Sequence, residues 1–408
     1  MLQGEEWLRH QWYALAMRRV MVLLSAFWFL QLGTKGLFLP YFSLYLDQVG
    51  LRAGQVGWIL SMLALAGLLS QPLWGVLADR TGLRRGLLAF CCLGAAACSL
   101  LLGRMEGFAA ILMATVLLST FERQLVPMSF AVSLGALSGA GRDSFGEVRV
   151  WGTVGVLVVA GSFPWIEPAL ARWWTDPGSP ALGAMFPWAA VLFAAAAVLA
   201  FLLPSVGALS LRSLPGDIRK LLRHRPVVRA LVLLFLVHLC VQGPVYLLPL
   251  LVKAKGGGTT DVSLMWVLSL SLEVPLVLRF GRLLERFNPR GLLILGALSE
   301  GLRWTLSAWI ESLPLLIAVQ GLHGIGVVGI LLGGPVYVES AAPQRLRSTG
   351  QAWAAMAGTG AGTIASNALT GQLIENFGTR FTYMAAGAGA LTVCLLFARL
   401  LPPPSRPD

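Results

Sequence analysis

The sequence predicts an all-α integral membrane protein with twelve transmembrane helices in two pseudo-symmetric six-helix bundles. Three observations lead to this prediction: an apolar composition, a series of apolar runs of spanning length, and a repeat that relates the two halves. Of the 408 residues, 56% are hydrophobic and 12% are charged, with a mean hydropathy of +0.74. A soluble globular chain carries about one quarter charged residues, so this composition excludes that class.

The apolar runs set the predicted spans. A helix needs about 20 mostly apolar residues to cross a bilayer. Helices are predicted rather than open strands because the backbone polar groups of a lipid-facing segment must be paired internally. The predicted spans are 20–46, 54–78, 86–104, 107–137, 148–165, 184–203, 229–252, 262–280, 291–310, 313–337, 348–372 and 380–401.

Arginine and lysine predict the orientation. They are concentrated before the first span and in every second loop after it, while the intervening loops carry few. Since basic residues of short loops are retained in the cytoplasm, both termini should be cytoplasmic, in the inner or plasma membrane. The net charge of +12 is spread over these loops, so the expected partner is the lipid bilayer and not a nucleic acid.

Several absences narrow the function. The five cysteines lie inside predicted spans, without a disulfide framework or metal-ligand spacing, so neither a metal nor a cofactor is expected. The sequence has no GxxxxGK[ST] phosphate loop and no nucleophile elbow. ATP-driven transport and enzymatic catalysis are therefore not expected. The first span is expected to serve as the insertion signal.

A repeat relates the two halves of the chain. "GVLADRTGLRRGLL" begins at Gly75 and "GRLLERFNPRGLL" begins at Gly281. At this offset Gly75 matches Gly281, Asp79 matches Glu285, and two arginines of a predicted cytoplasmic gating motif recur. The motif residues are Gly75, Asp79, Arg80, Gly82 and Arg84, then Gly281, Glu285, Arg286 and Arg290. A weaker echo, "GQLIENFG" from Gly371, fits halves that are inverted repeats of three helices each.

The repeat sets the predicted domains, and the motif acid is expected to accept hydrogen bonds from free N–H groups at the start of the next helix. The predicted domains are a cytoplasmic lead-in (1–19), an N-terminal six-helix bundle (20–203), a basic cytoplasmic linker (204–228), a C-terminal six-helix bundle (229–401) and a cytoplasmic tail (402–408).

Twelve spans, a twofold repeat and the motif after span two resemble the major facilitator superfamily. That resemblance implies a secondary transporter that alternates a central site between the two membrane faces and works as a monomer. It also implies that spans one, four, seven and ten line the cavity.

Ionisable residues inside spans are costly unless they are paired or hydrated, so each is a candidate for function. Glu273 lies near the middle of span eight, too deep for its short side chain to reach water along the helix. It should therefore face the protein interior. The alternative is an ion pair with Arg303 that only holds helices together.

Spans nine and ten add further candidates. Glu300 and Arg303 are three residues apart, so a local ion pair is possible. His323 lies in span ten one turn after Gln320, and imidazole exchanges protons near neutral pH. We interpret these residues as a proton-coupling and charge network; the alternative for the histidine is a packing role.

The order acid, arginine and histidine in spans eight to ten resembles the lactose permease branch of the superfamily, with its phenylpropionate and nucleoside permeases. "FGEVRVWG" at Phe145 resembles the loop into span five of that branch, and "EVP" at Glu273 and "LHG" at Leu322 are similar to the phenylpropionate subgroup. The resemblance implies that Glu273, Arg303 and His323 couple protons and that Arg149 binds substrate. Two positions depart from the lactose pattern: Gly326 stands where the proton-accepting acid is expected, and Phe130 where the sugar-binding acid is expected.

Further polar residues are predicted to bind substrate. Gln31 and Lys35 share a face of span one, and His238 and Gln242 share a face of span seven. Arg123 would place a second cation in the N-terminal half, while Glu122 is expected to point about 100° away from it around the helix. The alternative for Lys35 is that it reaches the outer interface. The predicted substrate-binding set is Gln31, Lys35, Glu122, Arg123, Arg149, His238, Gln242, Gln320 and Asn367.

These observations predict a proton-coupled symporter of a small organic solute, with an aromatic or other carboxylic acid as the leading hypothesis because of the two cations. The alternatives are a sugar or nucleoside symporter, and drug efflux. From another class, a membrane receptor or sensor on the same scaffold is possible. The small solute and protons are the expected partners.

Overall fold

The fold is described from a computed structural model. It describes residues 2–137, 144–204, 221 and 223–402, with residues 2–16 and 348 described by backbone alone. All regular secondary structure in these ranges is helical, as predicted. Most of the predicted linker, including Arg212, Arg219 and Lys220, and nearly all of the predicted tail lie outside the described residues.

The described residues of the first half of the chain form eight α-helices. They are α1 (Leu2–Gly33), α2 (Lys35–Gln48), α3 (Ala53–Thr81), α4 (Arg84–Leu102), α5 (Phe108–Glu122), α6 (Leu125–Ala136), α7 (Ser144–Trp174) and α8 (Met185–Leu202). The pairs α1–α2 and α5–α6 are separated only by short interruptions, at Thr34 and at Arg123–Gln124. Each pair therefore accounts for one predicted span.

The described residues of the second half form eight further α-helices and two π-helical turns. The helices are α9 (Arg225–Ala254), α10 (Thr259–Leu278), α11 (Phe280–Trp309), α12 (Leu313–Val319), α13 (His323–Gly326), α14 (Gly333–Ala341), α15 (Arg347–Ala355) and α16 (Thr363–Leu400). The π-helical turns are Val327–Leu332 and Met356–Gly362.

Ten helical segments of the described chain are long and apolar enough to cross a membrane. Each of the twelve predicted spans is helical over most of its length, and a span that extends past its helix does so by one or two residues. The two counts differ for identifiable reasons. The segment Thr349–Leu400 is 52 residues long and contains two predicted spans. Helix α11, which contains predicted span nine, is not among the ten; it carries Glu300 and Arg303 together with the basic motif residues at its start.

By its contacts the chain forms two compact units. The first unit comprises Met1–Leu39 and Ala66–Leu211, and the second comprises Pro40–Leu65 and Arg212–Asp408. The segment Pro40–Leu65, which contains most of α2 and the start of α3, therefore packs with the second half of the chain. The division into two six-helix bundles stays a prediction.

Three glycine-led motifs end in the same backbone conformation. Gly82, Asn288 and Gly378 all have positive φ, at 66°, 54° and 77°. Each lies seven residues after a motif glycine, which is Gly75, Gly281 or Gly371. Glycine and asparagine tolerate this left-handed region better than other residues. The repeat therefore reproduces a turn between helices, including in the weak echo.

In the first unit, α1 and α2 pack closely against α7 because glycines lie at the crossing. A Cβ built at Gly155 would lie 2.9 Å from the carbonyl carbon of Phe29, and one at Gly36 would lie 2.6 Å from the carbonyl oxygen of Val156. Backbone atoms cannot move away as a flexible side chain can. These two positions therefore require glycine for the helices to approach.

In the second unit, the hairpin Pro40–Leu65 is held by charge and by a glycine crossing. Asp47 forms an ion pair with Lys253, and Glu375 accepts from the backbone N–H of Gly54 at 2.9 Å. A Cβ at Gly57 would lie 2.9 Å from the Cα of Gly371. Polar links and direct backbone contact together attach the hairpin to α9 and α16.

The repeated turn predicts that alanine will change the stability of the protein differently at Gly82 and at Gly86, although both positions have space for a methyl group. A Cβ would meet nothing within 4 Å at either Gly82 or Gly86, and only Gly82 has positive φ. Gly82→Ala should destabilise the protein by about 1–2 kcal/mol because of left-handed strain. Gly86→Ala should be neutral or stabilise by about 1 kcal/mol because alanine favours a helix. The melting temperatures of the two purified variants would measure this. Equal temperatures would contradict the left-handed assignment.

Candidate functional site

A cluster of buried polar groups lies in the second unit, where α10, α11 and the segment from α12 to α13 meet. We call it the Arg303 cluster. Its members are Glu273, Glu300, Arg303, Gln320 and His323. Sequence reasoning assigned Glu273, Glu300, Arg303 and His323 to one charge network and Gln320 to substrate binding. The structure brings them into one network.

Arg303 is at the centre of the cluster. Its side chain is 2% exposed, and its Nη1 lies 3.2 Å and 3.1 Å from the two carboxylate oxygens of Glu300. Its Nε donates to the Oε1 of Gln320 at 2.8 Å, and its guanidinium lies 4.1 Å from the ring centre of Trp304. A buried guanidinium is tolerated only when it is paired and hydrogen-bonded in this way. The possible local pair Glu300–Arg303 is therefore formed.

Gln320 fixes the orientation of Arg303. Its Nε2 donates to the hydroxyl of Ser307 and to the carbonyl of Leu316, both at 3.0 Å, while its Oε1 accepts from Arg303. The amide is thus held at both ends by protein groups. Its predicted role in binding substrate stays untested, and its contacts are those of a positioning residue. Ser307, which sequence reasoning did not select, supports it from the same helix as Arg303.

His323 lies between two carboxylates. Its Nε2 is 3.8 Å from Oε2 of Glu273, and its Nδ1 is 3.7 Å from Oε1 of Glu300. Its Nδ1 is also 2.9 Å from Nη1 of Arg303. Because arginine can only donate, Nδ1 accepts, and a neutral ring carries its hydrogen on Nε2, toward Glu273. The imidazole therefore connects the more exposed acid with the more buried one.

Glu273 is the most exposed of these groups. Its side chain is 20% exposed, compared with 14% for His323 and 2% for Glu300. A Cβ at Gly324 would lie 2.8 Å from the Cα of Glu273, so α10 approaches the histidine segment at this glycine. The alternative in which Glu273 pairs with Arg303 does not match these contacts, in which Arg303 pairs with Glu300 and Glu273 faces His323.

A second charge cluster lies in the first unit. Lys35 forms an ion pair with Oε1 of Glu122, and Nε of Arg123 lies 3.6 Å from Oε2 of the same carboxylate. The expectation that Glu122 points away from Arg123 was wrong. Arg123 keeps a right-handed helical backbone at the end of α5, so the contact comes from the reach of its long side chain and not from a change in the helical offset. One carboxylate thus lies against both cations.

Arg149 contacts an aromatic side chain in the same unit. Its guanidinium lies 4.9 Å from the ring centre of Trp28, whose Nε1 donates to Ser133 at 3.0 Å. Phe130 meets the same indole edge to face, with ring centres 5.4 Å apart. Phe130 therefore supports Trp28 at the position where the lactose pattern has an acid.

Some predicted binding residues carry buried polar atoms that have neither a hydrogen bond nor an ion pair among the described residues. They are both amide atoms of Gln31, Nε2 of His238 and Oδ1 of Asn367. His238 is fixed through its other nitrogen, which lies 2.8 Å from the carbonyl oxygen of Leu234. Gln242, on the same face of α9, is half-buried. Such atoms suit hydrogen bonds to a solute, and their roles stay predictions.

The acid of the gating motif forms a different hydrogen bond from the one that the sequence predicts. Asp79 accepts from Nη2 of Arg84 at 2.8 Å, and the start of α4 has no side-chain cap. The expectation that this acid caps the next helix was wrong, because Asp79 still lies inside α3. In the second unit, Arg290 donates to the carbonyl of Ala398.

The first-unit cluster predicts unequal effects of removing charges. Lys35→Met leaves Glu122 buried with only the more distant Arg123, and should destabilise the protein by about 3 kcal/mol. Lys35→Met with Glu122→Gln should recover most of this loss, since no carboxylate remains to be paired. The matched control is Lys253→Met, whose 53% exposed side chain pairs with Asp47, with an expected loss of at most about 1 kcal/mol. Thermal unfolding of the purified variants measures all three, and a double variant no more stable than Lys35→Met would contradict the pairing.

Comparisons with known proteins agree with this architecture. The MFS_1 like family matches residues 21–385. The chain is 28% identical to the maltose permease of Geobacillus stearothermophilus, over 95% of this chain and 97% of that protein. It is also 28% identical to sugar efflux transporter A of Dickeya chrysanthemi, over 88% of this chain and 90% of that protein.

Solved structures show the same fold. The nucleoside transporter NupG has a TM-score of 0.82 at 17% identity, covering 93% of this chain and 98% of its own. The xylose transporter XylE from E. coli has a TM-score of 0.70 at 13% identity, covering 96% and 97%. The predicted fold class is thereby confirmed. The chain belongs to the MFS_1 like family and is a multi-pass membrane transporter of the major facilitator superfamily, not an enzyme.

Proposed function

We propose that this transporter is a proton-coupled symporter that carries a sugar by alternating access. The observation that supports proton coupling most strongly is the position of His323 between the carboxylates of Glu273 and Glu300, in contact with the buried Arg303. Transfer of charge across a bilayer needs groups that can be neutralised and recharged within the protein. This network is the part of the second unit with that chemistry.

The exposure of the cluster gives protons a direction of entry. The Glu273 side chain is more exposed at the protein surface than that of Glu300, and the imidazole lies between them. A proton that enters at Glu273 and is bound within the cluster removes a charge from a poorly hydrated site, which lowers the electrostatic barrier to reorientation. Release on the other side restores the charge. A ligand shifts such an equilibrium only through its different affinity for the two states.

A neutral, hydroxylated solute is the substrate class that we favour. Two relatives aligned over most of their length are named as a maltose permease and a sugar efflux transporter. In the second unit, the buried polar atoms of His238 and Asn367 that lack described partners belong to an imidazole and an amide, and such groups suit hydroxyl hydrogen bonds. Sites for neutral solutes use a few placed polar groups of this kind.

A carboxylic acid is the second candidate, because Lys35 and Arg123 lie together in the first unit. Glu122 lies against both cations, which reduces the positive charge available to a substrate carboxylate. A nucleoside is the third substrate class to be tested, since NupG shares the fold. For this chain we also propose cytoplasmic termini, a bacterial inner or a plasma membrane location and a monomeric working unit.

Transport assays in proteoliposomes would test the proposal. Maltose added outside should drive proton uptake by the wild-type protein, whereas uridine and benzoate should drive much less. Glu273→Gln should lower maltose-driven proton uptake by about tenfold or more, which corresponds to about 1.4 kcal/mol. The matched control is Glu311→Gln, whose 75% exposed carboxylate pairs with Lys255 outside the Arg303 cluster. It should transport like the wild type.

Each alternative has its own result in this assay. Proton uptake driven by benzoate alone would favour the carboxylic acid, and uptake driven by uridine alone would favour a nucleoside. Maltose uptake without protons would remove the coupling. Maltose binding without any transport would favour a receptor. Full coupling in Glu273→Gln would exclude this residue from the proton path.

A further inference from the structure

We infer that Glu300 is the residue that binds the transported proton, and that Gly326 is required because the Glu300 carboxylate occupies the space of a side chain at that position. The inference rests on the proposed proton-coupled transport and names the group that titrates. Sequence reasoning gave the coupling role chiefly to Glu273, because no acid stands at position 326.

The space above Gly326 is filled from the neighbouring helix. A Cβ built at Gly326 would overlap Oε1 of Glu300 and lie 2.7 Å from both its Cδ and its Cγ. Real Cβ atoms essentially never come within 3.0 Å of another heavy atom. A side chain at position 326 and the Glu300 carboxylate therefore exclude each other. Glu300 of α11 therefore places a carboxylate in the space of a side chain at position 326.

A second glycine contact brings the two helices together beside this space. A Cβ at Gly296, one turn before Glu300, would lie 2.8 Å from the Cα of Gly329. Gly329 lies three residues after Gly326, at the π-helical turn Val327–Leu332. The backbones are in direct contact at this crossing. On one turn Gly296 therefore lies against Gly329, and on the next turn the Glu300 carboxylate lies against Gly326.

The side chain of Glu300 is more deeply buried than that of Glu273. Its side chain is 2% exposed, while that of Glu273 is 20% exposed. Burial penalises the ionised form of a carboxyl group, and the pair with Arg303 stabilises it. If Arg303 moves away from Glu300, burial favours the protonated acid; when Arg303 returns, the ion pair favours the carboxylate. The same property makes it suitable for binding a proton in one state of the cycle and releasing it in another.

The proton balance needs only residues of the cluster. Glu300 binds a proton as COO⁻ + H⁺ → COOH, and no other bond changes. Exchange with Glu273 can run through His323: when Nδ1 is released by Arg303, it takes the proton of Glu300 while Nε2 gives its own proton to Glu273, and the reverse transfer uses the other tautomer. Among the described residues, Arg303 on the same helix and His323 on α13 lie against Glu300. Glu273 on α10 lies against His323, and Tyr383 on α16 acts on Arg303.

Protonation of Glu300 also changes the bonding of Arg303. The carboxylate is the ion-pair partner of the guanidinium, and a neutral acid attracts the guanidinium far less. Arg303 keeps its bond to Gln320 and can exchange the other contact. The proton thus switches a buried interaction at a point where α11 meets α13. This is a local two-state element of the kind that a transport cycle requires.

The first experiment compares Glu300→Gln with the wild type in proteoliposomes, with maltose as the probe. Glu300→Gln should lower maltose-driven proton uptake by about tenfold or more. Exchange of labelled maltose at equal concentrations, which needs no net proton movement, should stay within about twofold of wild type. The exchange measurement shows that the variant is folded and binds the probe. Proton uptake at the wild-type rate in Glu300→Gln would overturn the inference.

The second experiment moves the acid to the other helix. Glu300→Ala with Gly326→Asp returns a carboxylate to the same space, because the carboxyl carbon of aspartate is one bond from Cβ. Glu300→Ala with Gly326→Ala is the matched control, with the same space cleared and no acid. The aspartate variant should recover proton uptake several-fold over the alanine control. Equal uptake in two variants that both exchange maltose would overturn the claim that the two positions share one carboxylate site.

The two proposals fail in different ways. If the wild type transports maltose without protons, or does not transport it, proton-coupled sugar transport is wrong. If the wild type couples maltose to protons and Glu300→Gln does the same, only the assignment of Glu300 is wrong. Gly326→Ala alone gives an independent readout, because its methyl group displaces the carboxylate. It should lower coupling, and wild-type coupling in this variant would contradict the spatial argument.

Discussion

The burial of the Arg303 guanidinium is the constraint on which the second unit depends. A cation with 2% of its side chain exposed must be paired, and Glu300, Gln320 and His323 provide its described contacts. Each contact fixes something else. Gln320 orients the arginine through Ser307, His323 has its tautomer set by the arginine, and Glu300 is drawn into the space above Gly326. In the proposed mechanism, structural support and proton chemistry therefore come from the same group.

Glycine is the second feature that shapes the molecule, and it acts in two ways. At Gly155 and Gly296 the missing side chain lets backbones touch, which brings polar side chains of neighbouring helices within bonding distance. At Gly82 and Gly378 glycine permits a left-handed turn, and Asn288 takes its place in the remaining copy of the motif. Small residues at helix contacts are typical of membrane proteins, where lipid is as apolar as the helices.

The sequence was sufficient to predict the helical spans, because composition and run length are strong signals in a lipid-soluble chain. It also selected every member of the Arg303 cluster, because ionisable residues within spans are rare. It offered the local pair Glu300–Arg303 but not the contacts between helices. The long side chain of Arg123 reaches the Glu122 carboxylate despite the helical offset. The position of the Glu300 carboxylate depends on a crossing of two helices that no local pattern reports. The left-handed turn at Asn288 was visible in principle, as the match of Gly82 in the repeat.

The central claim is that one carboxyl group of the Arg303 cluster binds and releases a proton. Infrared difference spectra of the purified transporter between acidic and alkaline pH test this claim directly, since a protonated carboxyl has its own C=O stretching band. We expect the carboxylic acid band of the Glu300 side chain to be absent from the difference spectrum of Glu300→Gln and present in that of Glu311→Gln. A titrating band that persists unchanged in Glu300→Gln would contradict it.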